Sequence, residues 1–206
     1  MVVKILSKGL LVVLSGPSGA GKGTVCKELL KNNKEIVLSI SATTRQPREG
    51  EVDGKSYFFI SEDEFNELIE NDKMLEYAHV HQNIYGTPKD FVFGQIEKGN
   101  TVLLEIDVAG AMQLKKAYDD AVLMFLLPPS MEELKKRIIG RGSETEESLR
   151  IRFNNAYKEI EQIDKYDYFI INEEVEEAAK DIEEIINAEL HKVKRFKNLK
   201  EKVLGE

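Results

Sequence analysis

At 206 residues the chain is long enough to bury one substantial core, and it suits one compact unit with insertions better than two full domains. Apolar residues make up 42% and charged residues 32%, an ordinary soluble balance, and no apolar run approaches the length of a membrane span. The net charge of −8, from 29 basic and 37 acidic residues, argues against a general nucleic-acid binder and leaves small anionic substrates open. Cys26 is the only cysteine, so no intrachain disulfide can form, and a reducing, cytoplasmic setting fits.

The opening MVVKILSKGLLVVLSG has an apolar run that leads directly into a glycine-rich loop. Residues 9–15 therefore read as a strand buried on both faces of a parallel sheet, not as a signal peptide. A helix follows with Val25, Leu29 and Leu30 on one side, then a short strand at 36–40. From 41 the texture turns polar, basic and turn-rich. Strands are predicted at 57–60 and 74–80, with a helix over 62–71 between them. Ser61 and Glu64 have capping-box spacing at its start.

Buried-strand texture returns at 101–107 and 121–127, separated by a helix over 108–117. Ser130 with Glu133 opens a helix to about 139, and a polar stretch leads into another to about 163. A last core strand falls at 167–171, followed by an amphipathic helix from 174. The basic end carries Val193, Phe196 and Leu199 at helical spacing and reads as a docked or frayed terminal helix. A partner-binding or homodimer role is the second reading. Strands alternating with helices imply an α/β fold with a parallel sheet core and flanking helices. His79, His81 and His191 match no catalytic or metal pattern.

The strongest motif is Gly16-Pro17-Ser18-Gly19-Ala20-Gly21-Lys22-Gly23-Thr24, after a buried strand and before a helix. Such glycines let consecutive N–H groups turn inward around a phosphate. The helix N-terminus adds positive potential, and Lys22 supplies a full charge. These nine residues are the candidate ATP site. Gly23 stands where the general pattern has a hydroxyl residue, so the usual direct magnesium ligand is absent. Thr24 is left in a supporting place, and phosphates and waters would hold Mg2+.

Ser41-Ala42-Thr43-Thr44-Arg45-Gln46-Pro47-Arg48, then Gly50-Glu51, Gly54 and Tyr57, put two arginines and several hydroxyls where a phosphate dianion could be gripped. Taken alone, the arginines could equally be a solvated loop, the tyrosines ordinary strand packing, and Glu76 a solvent-facing strand residue. The ordered set resembles guanylate kinases, whose acceptor signature is S-x-T-T-R-x-P-R-x-G-E-x-x-G-x-x-Y. The match continues through Glu76, Tyr85-Gly86-Thr87, Leu104-Glu105-Ile106-Asp107, Arg137, Arg141, Gly142, Thr145, Glu146, Glu147 and Arg152, and covers about 9–187.

The resemblance implies a P-loop NTPase-type core (1–40, 98–130 and 156–206) with a GMP-binding insertion at 41–97 and a lid at 131–155. It implies that Arg45, Arg48, Tyr57 and Tyr85 hold the GMP phosphate, that Glu76 accepts guanine N1–H and N2–H₂, and that Ser41, Thr87 and Asp107 complete that side. Thr87 replaces a frequent Ser and keeps the hydroxyl. Asp107 joins Thr24 as a candidate near Mg2+, neither being assigned as a direct ligand. The implied reaction is phosphoryl transfer from ATP to GMP, and to dGMP, in purine nucleotide metabolism and GMP recycling. Lys22, Arg45, Arg137, Arg141 and Arg152 would act on the transferred group.

Three alternatives compete. A noncatalytic guanylate-kinase-like phosphopeptide module would have a degraded phosphate loop, whereas Lys22 and the loop glycines stand intact. A kinase for a phosphorylated ribose would not call for Glu76 and Thr87, and a switch GTPase would carry an Asn-Lys-x-Asp motif. On the lid assignment, Arg141→Ala lowers kcat far more than it weakens GMP binding. GMP affinity that collapses while turnover of bound substrate stays normal would overturn it.

Overall fold

A computed structural model describes residues 9–80, 82–139, 146–196 and 199–204. Strand β1 (Leu10–Ser15) is wholly buried and feeds the glycine-rich loop, which opens helix α1 (Lys22–Asn32). Next come β2 (Ile36–Leu38), β3 (Ala42–Thr43), β4 (Phe58–Phe59), α2 (Glu62–Glu70), β5 (Met74–Val80), β6 (Asn83–Pro88) and α3 (Lys89–Glu97). The remainder is β7 (Thr101–Glu105), α4 (Val108–Ala117), β8 (Val122–Leu127), α5 (Met131–Ile139), α6 (Glu146–Ile160), β9 (Tyr168–Ile171), α7 (Val175–Leu190) and α8 (Leu199–Leu204).

Five strands form a parallel sheet in the order β2-β7-β1-β8-β9. The unbroken apolar run of β1 follows from its place at the centre. Leu10, Val12 and Leu14 enter the core under α1 and α7, while Leu11 and Val13 enter the opposite core under α3 and α4. The second sheet, β4-β3-β6-β5, is mixed and has its own small cluster of Ala42, Phe65, Met74 and Ile84. Leu134, Ile138 and Ala156 join α5 to α6.

The capping box at α2 forms as its spacing requires. Ser61 Oγ accepts the Glu64 N–H at 3.2 Å, and Glu64 Oε2 accepts the Ser61 N–H at 2.8 Å. At α5, Ser130 Oγ accepts the Glu133 N–H, and the Glu133 carboxylate pairs with Arg137. Elements absent from the sequence reading are β3, β6 and α3. The C-terminal segment also differs from its expected single amphipathic helix. Residues 193–195 form a 3-10 turn, Val193 is 72% exposed, and the anchor is Arg195, buried against Glu189 with Nη2–Oε2 at 3.4 Å.

Phe65 is the one fully buried ring of the second sheet's cluster. Phe65→Ala removes it and is expected to cost about 3–5 kcal/mol in urea unfolding. A loss under about 1 kcal/mol would show that the cluster does not carry that sheet.

Candidate active site

The phosphate loop is shaped by contacts that side chains would block. Gly16 has φ 147°, and a Cβ there would lie 2.2 Å from the Leu126 carbonyl oxygen at the end of β8. Gly21 has φ 95° and lies against Asn172, whose Nδ2 donates to the Ala20 carbonyl at 2.7 Å. Lys22 folds back over the loop and donates from Nζ to the Gly16 carbonyl at 2.6 Å. Burial lowers the Lys22 pKa, and the carboxylates of Glu105, Glu159 and Asp107 work against that. Glu159, from α6, accepts the Ser18 N–H of the loop at 3.4 Å, and burial raises its pKa. The acid therefore sits on a donor of the kind that phosphate oxygens take. Thr24 is exposed. A Cβ on Gly23 would stand 3.4 Å from Glu105 Oε1, so an acid faces the place of the missing hydroxyl residue.

Glu51 organises the loop after β3. It takes Arg45 in a two-pronged ion pair, Nη1 to Oε2 and Nη2 to Oε1, both at 2.9 Å, and accepts the Arg48 N–H at 2.7 Å. Arg45 Nε donates to the Tyr85 hydroxyl at 3.2 Å, and its guanidinium lies over the rings of Tyr57 and Phe59. The pair with Glu51 raises the Arg45 pKa and lowers that of Glu51. The Arg48 side chain is exposed.

Glu76 is aimed by an irregularity in β5. The register with β6 shifts between Met74 and Glu76, so the two residues meet Pro88 and Thr87. Met74 thereby enters the second sheet's cluster, Leu75 enters the α4 side of the main core, and Glu76 faces the cleft. Thr87 Oγ1 donates to Glu76 Oε1 at 2.6 Å. Burial, with help from Asp107, pushes the Glu76 pKa up to about 7, against the Thr87 hydroxyl, which lowers it. Asp107 caps α4, its Oδ1 accepting the Gly110 N–H at 2.7 Å.

Ser41, Tyr57, Glu76, Tyr85 and Asp107 line one cleft of about 160 Å³, and Glu105 stands at its border with the phosphate loop. Thr87 reaches it through Glu76, and Arg45 through Tyr85. Arg137 donates to the carbonyl of Asn172 at 3.1 Å, the residue whose side chain buttresses the loop. Arg152 is half-buried on α6, and Arg141 lies outside the described residues. The sequence reading gave no role to Glu51, Glu159 or Asn172. Glu51 carried a signal, six residues beyond Arg45 within the signature. Glu159 and Asn172 look like an ordinary helix acid and a strand-end amide.

The lysine and glycine loop thus lies on the same edge of the parallel sheet as a cleft that holds a buried carboxylate, with Arg45 braced beside that cleft by Glu51 and Tyr85. That is the plan of a nucleoside monophosphate kinase. The chain belongs to the guanylate kinase family, whose sequence model matches residues 8–189, and it shares that family's activity, phosphoryl transfer from ATP to GMP. It is 58% identical to the guanylate kinase of Clostridioides difficile (strain 630) over 94% of this chain and 95% of that one. It is 53% identical to that of Caldanaerobacter subterraneus subsp. tengcongensis over 99% of both. The crystal structure of guanylate kinase from Anaplasma phagocytophilum superposes with a TM-score of 0.76 at 38% identity, covering 96% of this chain and 94% of that one.

Because the folded protein holds a proton on Glu76 that the unfolded chain releases near pH 4.5, stability is lost as pH rises from there to about 7. Glu76→Gln removes that penalty. Melting of the ligand-free protein should show a gain approaching about 3 kcal/mol at pH 8 and under about 1 kcal/mol at pH 5. Equal gains at both values, or a loss at pH 8, would contradict the burial cost.

Proposed function

We propose that this chain carries out its ATP-to-GMP transfer with the donor phosphates in the loop Gly16–Thr24 and the acceptor in the cleft between the two sheets. The observation that carries the reading is Glu76, a buried carboxylate fixed by Thr87 beside the Asp107 cap. Guanine offers two donors on one edge, N1–H and the 2-amino group, which one carboxylate accepts together. Adenine offers neither and would leave the acid buried with only the Thr87 hydroxyl as a partner, a mismatch that can cost roughly 10⁴-fold in discrimination.

Arg45, Arg48, Tyr57 and Tyr85 hold the GMP phosphate. Glu51 fixes the plane of Arg45 before substrate arrives, so less ordering remains to be done on binding. Ser41 and Asp107 close the nucleoside side. Lys22 neutralises charge on the transferred group, with Arg137, Arg141 and Arg152 completing its cover. The acceptor oxygen is already ionised, so no general base is required.

Hard oxygen donors suit Mg2+, and the carboxylate of Glu105 beside Gly23, together with Thr24 and Asp107, fits a cation held chiefly through phosphates and waters. Bound there, it would offset phosphate charge and align the chain of phosphates. Segment 41–97 is the acceptor unit and 131–155 the lid, and the remainder is the fixed core. The separate cluster of Ala42, Phe65, Met74 and Ile84 supports that division. The single buried thiol supports a reducing, cytoplasmic setting, and among the described residues no helix is long and apolar enough to cross a membrane.

ADP release from ATP and Mg2+, with GMP, dGMP, AMP, CMP or UMP supplied singly, tests the assignment. GMP and dGMP should be the productive acceptors. Strong turnover with AMP and none with GMP would sink it. Tight phosphopeptide binding with no turnover on any acceptor would favour the noncatalytic module instead.

A further inference from the structure

Helix α4 touches strand β5 at the place where Glu76 sits. A Cβ on Gly110 would stand 2.8 Å from Glu76 Oε2, 3.3 Å from Glu76 Cδ and 3.4 Å from Asp107 Oδ1. Gly110 lies within the first turns of a helix, where alanine is preferred to glycine on backbone grounds. The requirement for glycine is therefore the approach of the carboxylate. One turn further on, Gln113 reaches the same strand. Its Oε1 accepts the Tyr77 N–H at 3.2 Å, and its Nε2 donates to the Tyr77 carbonyl at 3.1 Å. β5 is the outer strand of its sheet, so these main-chain groups face away from β6, and the Gln113 amide takes the place of a neighbouring strand.

We propose that Gly110 and Gln113 are positioning residues that set guanine specificity by fixing the Glu76 carboxylate, an inference that rests on Glu76 reading the guanine edge. Gln113 holds the main chain of the next residue. Thr87 fixes Oε1 from the other side, and Gly110 leaves the width that Oε2 occupies. Two parallel bonds to N1–H and the 2-amino group require both oxygens in the plane of the base. A methyl at 110 must push the carboxylate aside, because 2.8 Å is well inside ordinary contact. The displaced atoms are the far end of a flexible side chain, so the fold tolerates the change while the reading edge turns out of plane.

The test compares Gly110→Ala, Gln113→Met and Glu76→Gln in the full chain, with GMP and with inosine monophosphate, which lacks the 2-amino group. Gly110→Ala should raise KM for GMP about tenfold and narrow the GMP-to-inosine-monophosphate ratio of kcat/KM by a similar factor. It should leave kcat and the KM for ATP within about threefold and Tm unchanged or higher. Gln113→Met, which keeps the length and removes both bonds, should move the same parameters the same way to a smaller extent. It decides the matter if Gly110→Ala fails to fold. Wild-type KM and selectivity in the folded variants, alongside losses in Glu76→Gln, overturn the positioning role. Unchanged GMP kinetics in Glu76→Gln overturn the guanine reading beneath it.

Discussion

Strand β1 is hydrogen-bonded to β7 on one side and β8 on the other, and it buries alternate residues in two different cores. That double confinement fixes where its last residue releases the chain. Gly16 is pressed against the Leu126 carbonyl at the end of β8, and the loop beyond it is backed by Asn172 at the end of β9. Glu105 and Asp107 leave β7 at the same edge. Ligand groups collect at the carboxyl ends of parallel strands because there the backbone direction, the helix starts and the loops coincide.

The part of the chain built on the second sheet follows a different logic. Its sheet is short and mixed, with a core of few residues, so precision comes from polar contacts more than from bulk packing. Glu51 ties Arg45 to the backbone at Arg48, Tyr85 and Tyr57 frame the guanidinium, and Thr87 locks Glu76. Each of these groups is held in place by a neighbouring side chain. A carboxylate kept in a place that disfavours its charge is a standing cost to stability, tolerable because two large cores on the main sheet supply stability elsewhere.

Much of this was legible in the chain. The buried run at 9–15, the glycine loop, the helix over 108–117 and the strand 74–80 are set by local pattern, and the structure repeats them nearly residue for residue. What stayed hidden depends on contacts distant in sequence. β6 contains Gly86 and Pro88, residues depleted in strands. Gly86 is there because a Cβ would meet the Glu76 carbonyl at 2.6 Å. α3 starts after Pro88 and carries Gly94, so its pattern is weak, and only the burial of Val92 and Ile96 against the main sheet makes sense of it. The register shift before Glu76 and the anion on the loop amide from Glu159 leave no mark in composition or spacing.

Cys26 lies one turn beyond Lys22 on α1, 2% exposed in the core beneath β1, with burial and the nearby Glu105 raising its pKa. A thiol reacts as the thiolate and only where a reagent can reach it, and neither condition holds while the helix is seated. The rate at which this single thiol is trapped by a small alkylating agent is thus a clock for excursions of α1 from the sheet. A nucleotide that fastens the loop must slow that clock in proportion to its occupancy. The chain carries, without any added label, an optical or mass-spectrometric readout of how the helix behind the glycine loop breathes.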